Sequence, residues 1–273
     1  MTGVRHPKGA VNGDQRHPSV ATQSASAQNG LPSSRATADV NTLVRCTYTT
    51  AGGTSALQTP VNCVNLFNGD PLDPEFEIQG GKWVEIASKP MKLSNSQSVF
   101  VSPSLVSGLY TRTRTKTGVA ETSTAEAMGA VYLRAVLVPA AGGDEIVAAP
   151  LNLCQATIWG CSNVDNKWGV VLDSRIQTLM QSLIECDVLI DGEVAGSCDF
   201  TSTIDLILKT ASANTFNFIF PNVGQGTYTL KIYAAVGSGA SVVGDGTAVG
   251  AAVFGLGSVT AETVRLVHGF DFQ

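Results

Sequence analysis

The first 45 residues of this chain contain no Phe, Trp, Tyr or Ile. Gly, Ser, Ala, Gln, Asn and Pro dominate there instead, as in the stretch from Ser19 to Gly30. Such a segment cannot bury enough apolar surface to offset its ordering entropy, which excludes an independent core before residue 46. Charge is scarce as well. Charged residues make up 14% of the sequence, against about a quarter in an ordinary globular domain. Hydrophobic residues reach 44%, a balance that suits closely packed or shielded sheets better than a highly solvated cytosolic enzyme. The net charge of −5 gives no general attraction for nucleic acid or anionic lipid. No apolar run reaches the ~18 residues that a membrane-spanning helix needs. The basic residues near Met1 are followed by no apolar stretch, so no conventional signal peptide is expected.

Catalytic vocabulary is equally thin. Of the three histidines, His6 and His17 lie in the hydrophilic segment, where no scaffold would hold a general base, and His268 stands near the end of the sequence. There is no G-x-S-x-G, H-E-x-x-H, Walker A or EF-hand pattern. The glycines of Gly244-Asp-Gly-Thr-Ala-Val-Gly have the wrong spacing for a dinucleotide fingerprint and read as a β-turn. No enzymatic activity and no cofactor are expected.

What is present begins at Cys46, where short apolar runs alternate with Gly, Asn and Pro turns. All six cysteines lie in this part: Cys46 and Cys63, Cys154 and Cys161, Cys186 and Cys198. Neighbour pairing would close three local loops, each contributing about 3 kcal/mol in the chain-entropy model. Six cysteines allow many other pairings, and buried free thiols are the alternative. Disulfides would imply an oxidising compartment, hence an extracellular or cell- or virion-surface location. The absence of C-x-x-C argues against zinc.

The spacing predicts strands almost throughout. Lys82–Ala87, Ser98–Ser102 and Leu105–Tyr110 carry β patterning, and Ala130–Val138 is apolar enough for a central strand. Thr111-Arg-Thr-Arg-Thr-Lys-Thr has period two, so Arg112, Arg114 and Lys116 share one face and the threonines the other. Ser174–Glu185 fits either a helical stripe or a strand. The β character of the rest favours the strand, with Leu179 and Leu183 expected inward and the Gln residues outward. Thr203–Lys209, Thr215–Phe220 and Thr227–Val236 are three further strands, and Phe216, Phe218 and Phe220 form an aromatic row that must cover a core. Gly246–Val253 and Val259–Val267 complete the set. The Ala and Gly of the first allow close approach by another sheet or subunit.

At Gly226-Thr-Tyr-Thr-Leu-Lys-Ile the chain resembles the immunoglobulin-like and fibronectin-like β-sandwich superfamily. Tyr228 stands where a tyrosine corner would lead into an inner strand carrying Leu230 and Ile232. The resemblance covers Thr203–Val236. It implies a sandwich and no particular ligand. No cysteine follows Tyr228 by two residues, so an antibody-type core disulfide is not implied.

Three groups of residues are candidates for binding. Asn68, Asp70, Asp73 and Glu75 gather oxygen ligands in one loop, as a calcium site does, or form a solvated turn. Arg112, Arg114 and Lys116 form a ladder with ~7 Å steps. It would dock an acidic partner, an anionic glycan or a second subunit, or else serve as a charged edge that blocks strand pairing. Trp83, Trp159, Trp168 and Tyr110 offer a sugar-stacking platform, with Trp159 between Cys154 and Cys161, or ordinary packing.

The reading is an all-β chain: a β-sandwich or jelly-roll-like body over residues 46–273 behind a polar arm, residues 1–45. A split of the body into 46–150 and 151–273 is the alternative to a single sandwich. The expected role is a structural subunit of a filament, sheath or capsid-like shell, interlocked through sheet contacts and the arm. A secreted carbohydrate-binding module is the competing role.

Overall fold

The computed structural model describes residues 36–52, 83–117, 121–150, 161–164, 167–182, 187–190, 193–197 and 201–265, with backbone alone for 161–164, 187–190 and 193–197. Contacts divide the chain into Met1–Leu31 and Pro32–Gln273, and all described residues belong to the second unit.

The described residues form antiparallel strands and no helix: β1 (Ala36–Asn41), β2 (Arg45–Gly52), β3 (Val84–Leu93), β4 (Gln97–Thr117), β5 (Thr122–Pro139), β6 (Ile146–Val147), β7 (Cys161–Val164), β8 (Lys167–Ser182), β9 (Asp187–Ile190), β10 (Glu193–Ser197), β11 (Ser202–Thr215), β12 (Phe218–Val223), β13 (Gly226–Val243) and β14 (Gly246–Val264). Two sheets pack face to face, an all-β sandwich. In the first, β14 and β4 are central. β1 and β2 share the far side of β14, while β11 and β12 share the far side of β4. The second runs β3-β13-β5-β8-β7, with β6 also on β5. β9 and β10 make a separate hairpin.

In both sheets, strands from before residue 150 pair with strands from after it. Ala36–Asn41, placed by the sequence in the polar arm, pairs with Gly257–Glu262 of β14. Its burial alternates with period two, the mark of a strand seated on a sheet edge.

Large apolar side chains fill one part of the core: Phe218, Phe220, Phe254, Met91, Leu93 and Leu105 are buried completely or nearly so. The aromatic row behaves as its spacing predicts, with Phe216 packed against this cluster and its ring centroid 4.8 Å from that of Phe218. Ala130–Val138 lies in β5, between β13 and β8, as its continuous apolar run requires. Tyr228 Oη donates to the Gly224 carbonyl at 2.9 Å.

Elsewhere the core changes character. Ala125, Ala127 and Ala248 replace the large residues, and glycines bring the sheets together. A Cβ on Gly250 of β14 would lie 2.1 Å from the Met128 carbonyl oxygen of β5 and 2.3 Å from that of Gly239 in β13. The close approach expected of the Ala- and Gly-rich strand is made to the opposite sheet of the same chain.

Two expectations need correction. Ser174–Ser182 is strand, but Gln177 and Gln181 point inward and are buried, 6% and 7% exposed. Residues 177, 179 and 181 share one strand face by the period of two, so glutamines cannot face out while Leu179 faces in. It is Ile176 and Met180 that stand on the solvent face, 62% and 70% exposed. Second, the strand bearing Arg112, Arg114 and Lys116 is not a sheet edge. β4 has β14 on one side and β11 on the other along this whole stretch.

Candidate assembly surface

The two flanks of the sandwich close differently. On one, β1 and β3 meet: Asp39 takes an ion pair from Lys89 at 3.2 Å and a hydrogen bond from the Ser88 amide. On the other, β11 ends the first sheet. β8 ends the second beyond Val170, because β7 covers only Lys167–Val170. Among the described residues, no strand pairs with the outer side of β11 or with the side of Leu172–Ser182 that faces away from β5.

Polar side chains seal the seam between these two edges. Thr111 Oγ1 donates to Gln177 Oε1 at 2.6 Å, and Gln177 Nε2 donates to Thr113 Oγ1 at 2.6 Å and to the Leu206 carbonyl at 3.0 Å. Thr115 Oγ1 donates to Gln181 Oε1 at 2.9 Å. Asp173 accepts from Ser107 at 2.5 Å, and Arg175 Nη2 donates to Thr210 at 2.8 Å. The threonine face of the Thr-Arg repeat is therefore the buried one, with Thr111, Thr113, Thr115 and Thr117 at 0% exposure. Buried hydroxyls need partners, and β8 supplies them.

The cations occupy the solvent face of β4. The Arg112 guanidinium grips Asp205 of β11 with two bonds, Nε at 3.0 Å and Nη2 at 2.5 Å. This hydrogen bonding holds the Asp205 carboxyl below its ordinary range and raises Arg112. Beside them, burial pushes the Tyr110 hydroxyl up. Because the folded pKa of Asp205 lies below the unfolded one, its stabilisation is present above the ordinary Asp value, ~3.9. It is lost as pH falls through the folded value. The contribution of such a half-exposed pair is below about 1 kcal/mol. Amide exchange of β11 measured relative to β5 is expected to quicken below pH ~4, whereas Asp205→Asn loosens β11 at neutral pH as well. Equal protection in the two proteins at neutral pH would contradict this.

β11 itself is the exception to the hydrophobic rule. It has 14 residues, nearly all exposed on both faces. Ile204, Leu206, Ile207 and Leu208 are 43%, 40%, 53% and 41% exposed. An edge strand with unpaired backbone groups and exposed branched residues is a template for further pairing. Ile204, Leu206 and Leu208 share the face of the β4 threonines and Ile207 the opposite face; only the long-range pairing shows the strand to be an edge.

The remaining candidates are dispersed. Trp83 lies against Gly169, its Nε1 donating to the Lys167 carbonyl at 3.2 Å, while Trp168 packs on the main core and Tyr110 on the outer face of the first sheet. The structure does not gather these into one platform. Cys46 is buried and disulfide-bonded. Cys63, Cys154, Cys186, Cys198, Trp159 and the loop carrying Asp70, Asp73 and Glu75 lie outside the described residues, as does the side chain of Cys161. A groove of about 430 Å³ beside β1 is lined by Ala36, Ala38, Phe100, Ser102, Thr260 and Glu262. Among the described residues no three His, Cys, Asp or Glu gather as metal ligands. No described helix is long and apolar enough to cross a membrane.

No family model matches the chain, and no curated protein does. Two solved structures are among its neighbours. One is the T13 viral particle of infectious bursal disease virus, at 9% identity over 91% of this chain and 44% of that one, with a TM-score of 0.14. The other is the Gx strain of the same virus, at 10% identity over 91% and 47%, with a TM-score of 0.12. The chain spans less than half the length of each, and a likeness this slight carries neither fold nor role to it.

Proposed function

We propose that this protein is a non-enzymatic structural subunit that assembles with copies of itself at a cell or virion surface, as a filament, sheath or capsid-like shell. The observation that carries the reading is the open flank: two strand edges that, among the described residues, no strand pairs, with Ile204, Leu206, Ile207, Leu208, Ile176 and Met180 exposed along them. A soluble monomer ordinarily blunts such edges with charge, proline or a covering element. Here the three cations of the Arg112 ladder are on β4, one strand in from the edge, and β11 itself carries Asp205 and Lys209. Interlocking through residues 1–35 is the second element of the proposal, motivated by a composition that cannot collapse by itself. Sedimentation velocity of the purified chain, with negative-stain micrographs, tests it. Concentration-dependent association or ordered particles are expected. A 28.4 kDa monomer at every concentration would defeat the reading.

A further inference from the structure

Only one two-fold register of the β11 edge sets opposite charges against each other. In an antiparallel ladder, successive residues point their N–H and C=O alternately to one neighbour and the other. Two bonds fix this alternation. The Phe216 amide donates to the Pro103 carbonyl, so even-numbered residues on the β11 side face β4. The Lys116 amide donates to the Asp245 carbonyl, so even-numbered residues of β4 face β14 and odd ones face β11, in agreement. The outer edge of β11 therefore presents the backbone groups of Thr203, Asp205, Ile207, Lys209, Ala211 and Ala213.

An antiparallel partner strand must set its own outward residues opposite these. For a second copy of β11, the pairing is a two-fold, and its centre chooses the register. Centres at Asp205 or Lys209 place like charges opposite each other. Centres at Leu206 or Leu208 place a charge opposite Ile207. The centre at Ile207 places Asp205 opposite Lys209 of the second copy, and by symmetry Lys209 opposite Asp205 of the second copy. The same register sets Leu206 opposite Leu208 of the second copy and Ile207 opposite itself. Asp205 would then lie between Arg112 of its own chain and the incoming Lys209. Lys209 has no ion-pair partner of its own among the described residues. Opposite charges and apolar pairs across strands are the stabilising combinations.

We infer that β11 pairs with β11 of a second copy about a two-fold axis at Ile207, continuing the first sheet from one subunit into the next. The inference rests on the assembly reading above and names its contact. Two variants of the full chain test it. Ile207→Pro removes the amide at the axis but no bond to β4, because that amide points outward; the edge position tolerates proline. It should weaken association roughly tenfold or more with the β circular-dichroism spectrum unchanged. Ile207→Cys should cross-link to itself under mild oxidation, since residues opposite in such a ladder stand at a separation a disulfide spans. Thr203→Cys and Ala211→Cys singly should not, and combined in one chain they should. Cross-linking of the single Thr203→Cys or Ala211→Cys chain, or undiminished association of a folded Ile207→Pro chain, overturns the register. If wild type associates but neither Ile207 variant behaves as stated, assembly stands through another surface. If wild type never associates, the assembly reading fails too.

Discussion

Gln177→Leu is expected to lower the free energy of unfolding by about 3 kcal/mol, measured by urea denaturation followed through tryptophan fluorescence. The size follows from what Gln177 holds. Its amide accepts from Thr111 and donates to Thr113, both at 2.6 Å and both fully buried. Leucine fills a similar volume but leaves two buried hydroxyls unpartnered, each at a cost of about 1–3 kcal/mol. Removing the orphans, in Gln177→Leu with Thr111→Val and Thr113→Val, replaces donors and acceptors together by apolar groups of similar shape. That change is near neutral in general, so the triple variant should return to within about 1 kcal/mol of wild type. A loss well below 1 kcal/mol in the single variant would show that the seam does not depend on Gln177. A triple variant no better than the single would show that the loss came from packing instead.

This seam also marks where the sequence stops being legible. The repeat Thr111–Thr117 announces two faces, and cations oppose threonines as the period of two demands. Which face is buried does not follow from the repeat itself. It is decided by Gln177 and Gln181, some 66 residues away in sequence, whose amides make a buried threonine row affordable. Local pattern likewise located β5, the phenylalanine row and the close-approach strand, because burial on both faces, aromatic spacing and small side chains are properties of the strand alone. Edges are not. The run Ile204-Asp-Leu-Ile-Leu sets three apolar residues on one face and Ile207 on the other; it is exposed because, among the described residues, no further strand follows it in the sheet. β1 carries one large apolar residue, the exposed Val40, among small and polar ones, and its place is set by pairing with a strand more than two hundred residues on. Such partnerships have no local signature, which is why the open flank follows from topology while the fold class was evident in the strands.

The largest effect is expected at Gly250. Its missing side chain is what lets the first sheet rest on the second: a Cβ there would meet the Met128 carbonyl oxygen at 2.1 Å, the Gly239 carbonyl oxygen at 2.3 Å and the Met128 amide nitrogen at 2.8 Å. Met128 and Gly239 are a paired position of β5 and β13, so these atoms are fixed in a ladder and have no rotamer by which to yield. Overpacking against side chains usually costs about 1–3 kcal/mol; against paired backbone the sheets themselves must separate. Gly250→Val should therefore lose more than about 3 kcal/mol, seen as a chain that accumulates insoluble or melts far below wild type. Gly129→Val should behave alike, because its Cβ would lie 2.4 Å from the Ala251 carbonyl oxygen on the reciprocal side of the same contact. The two losses should not add, since either one already parts the sheets there. Gly224→Ala is the control: its nearest neighbour is the Tyr228 hydroxyl at 3.8 Å, ordinary contact that leaves stability within about 0.5 kcal/mol of wild type. A Gly250→Val protein that unfolds at the wild-type urea midpoint would mean that the two sheets do not touch through their backbones. The glycines of β14 would then have no packing role.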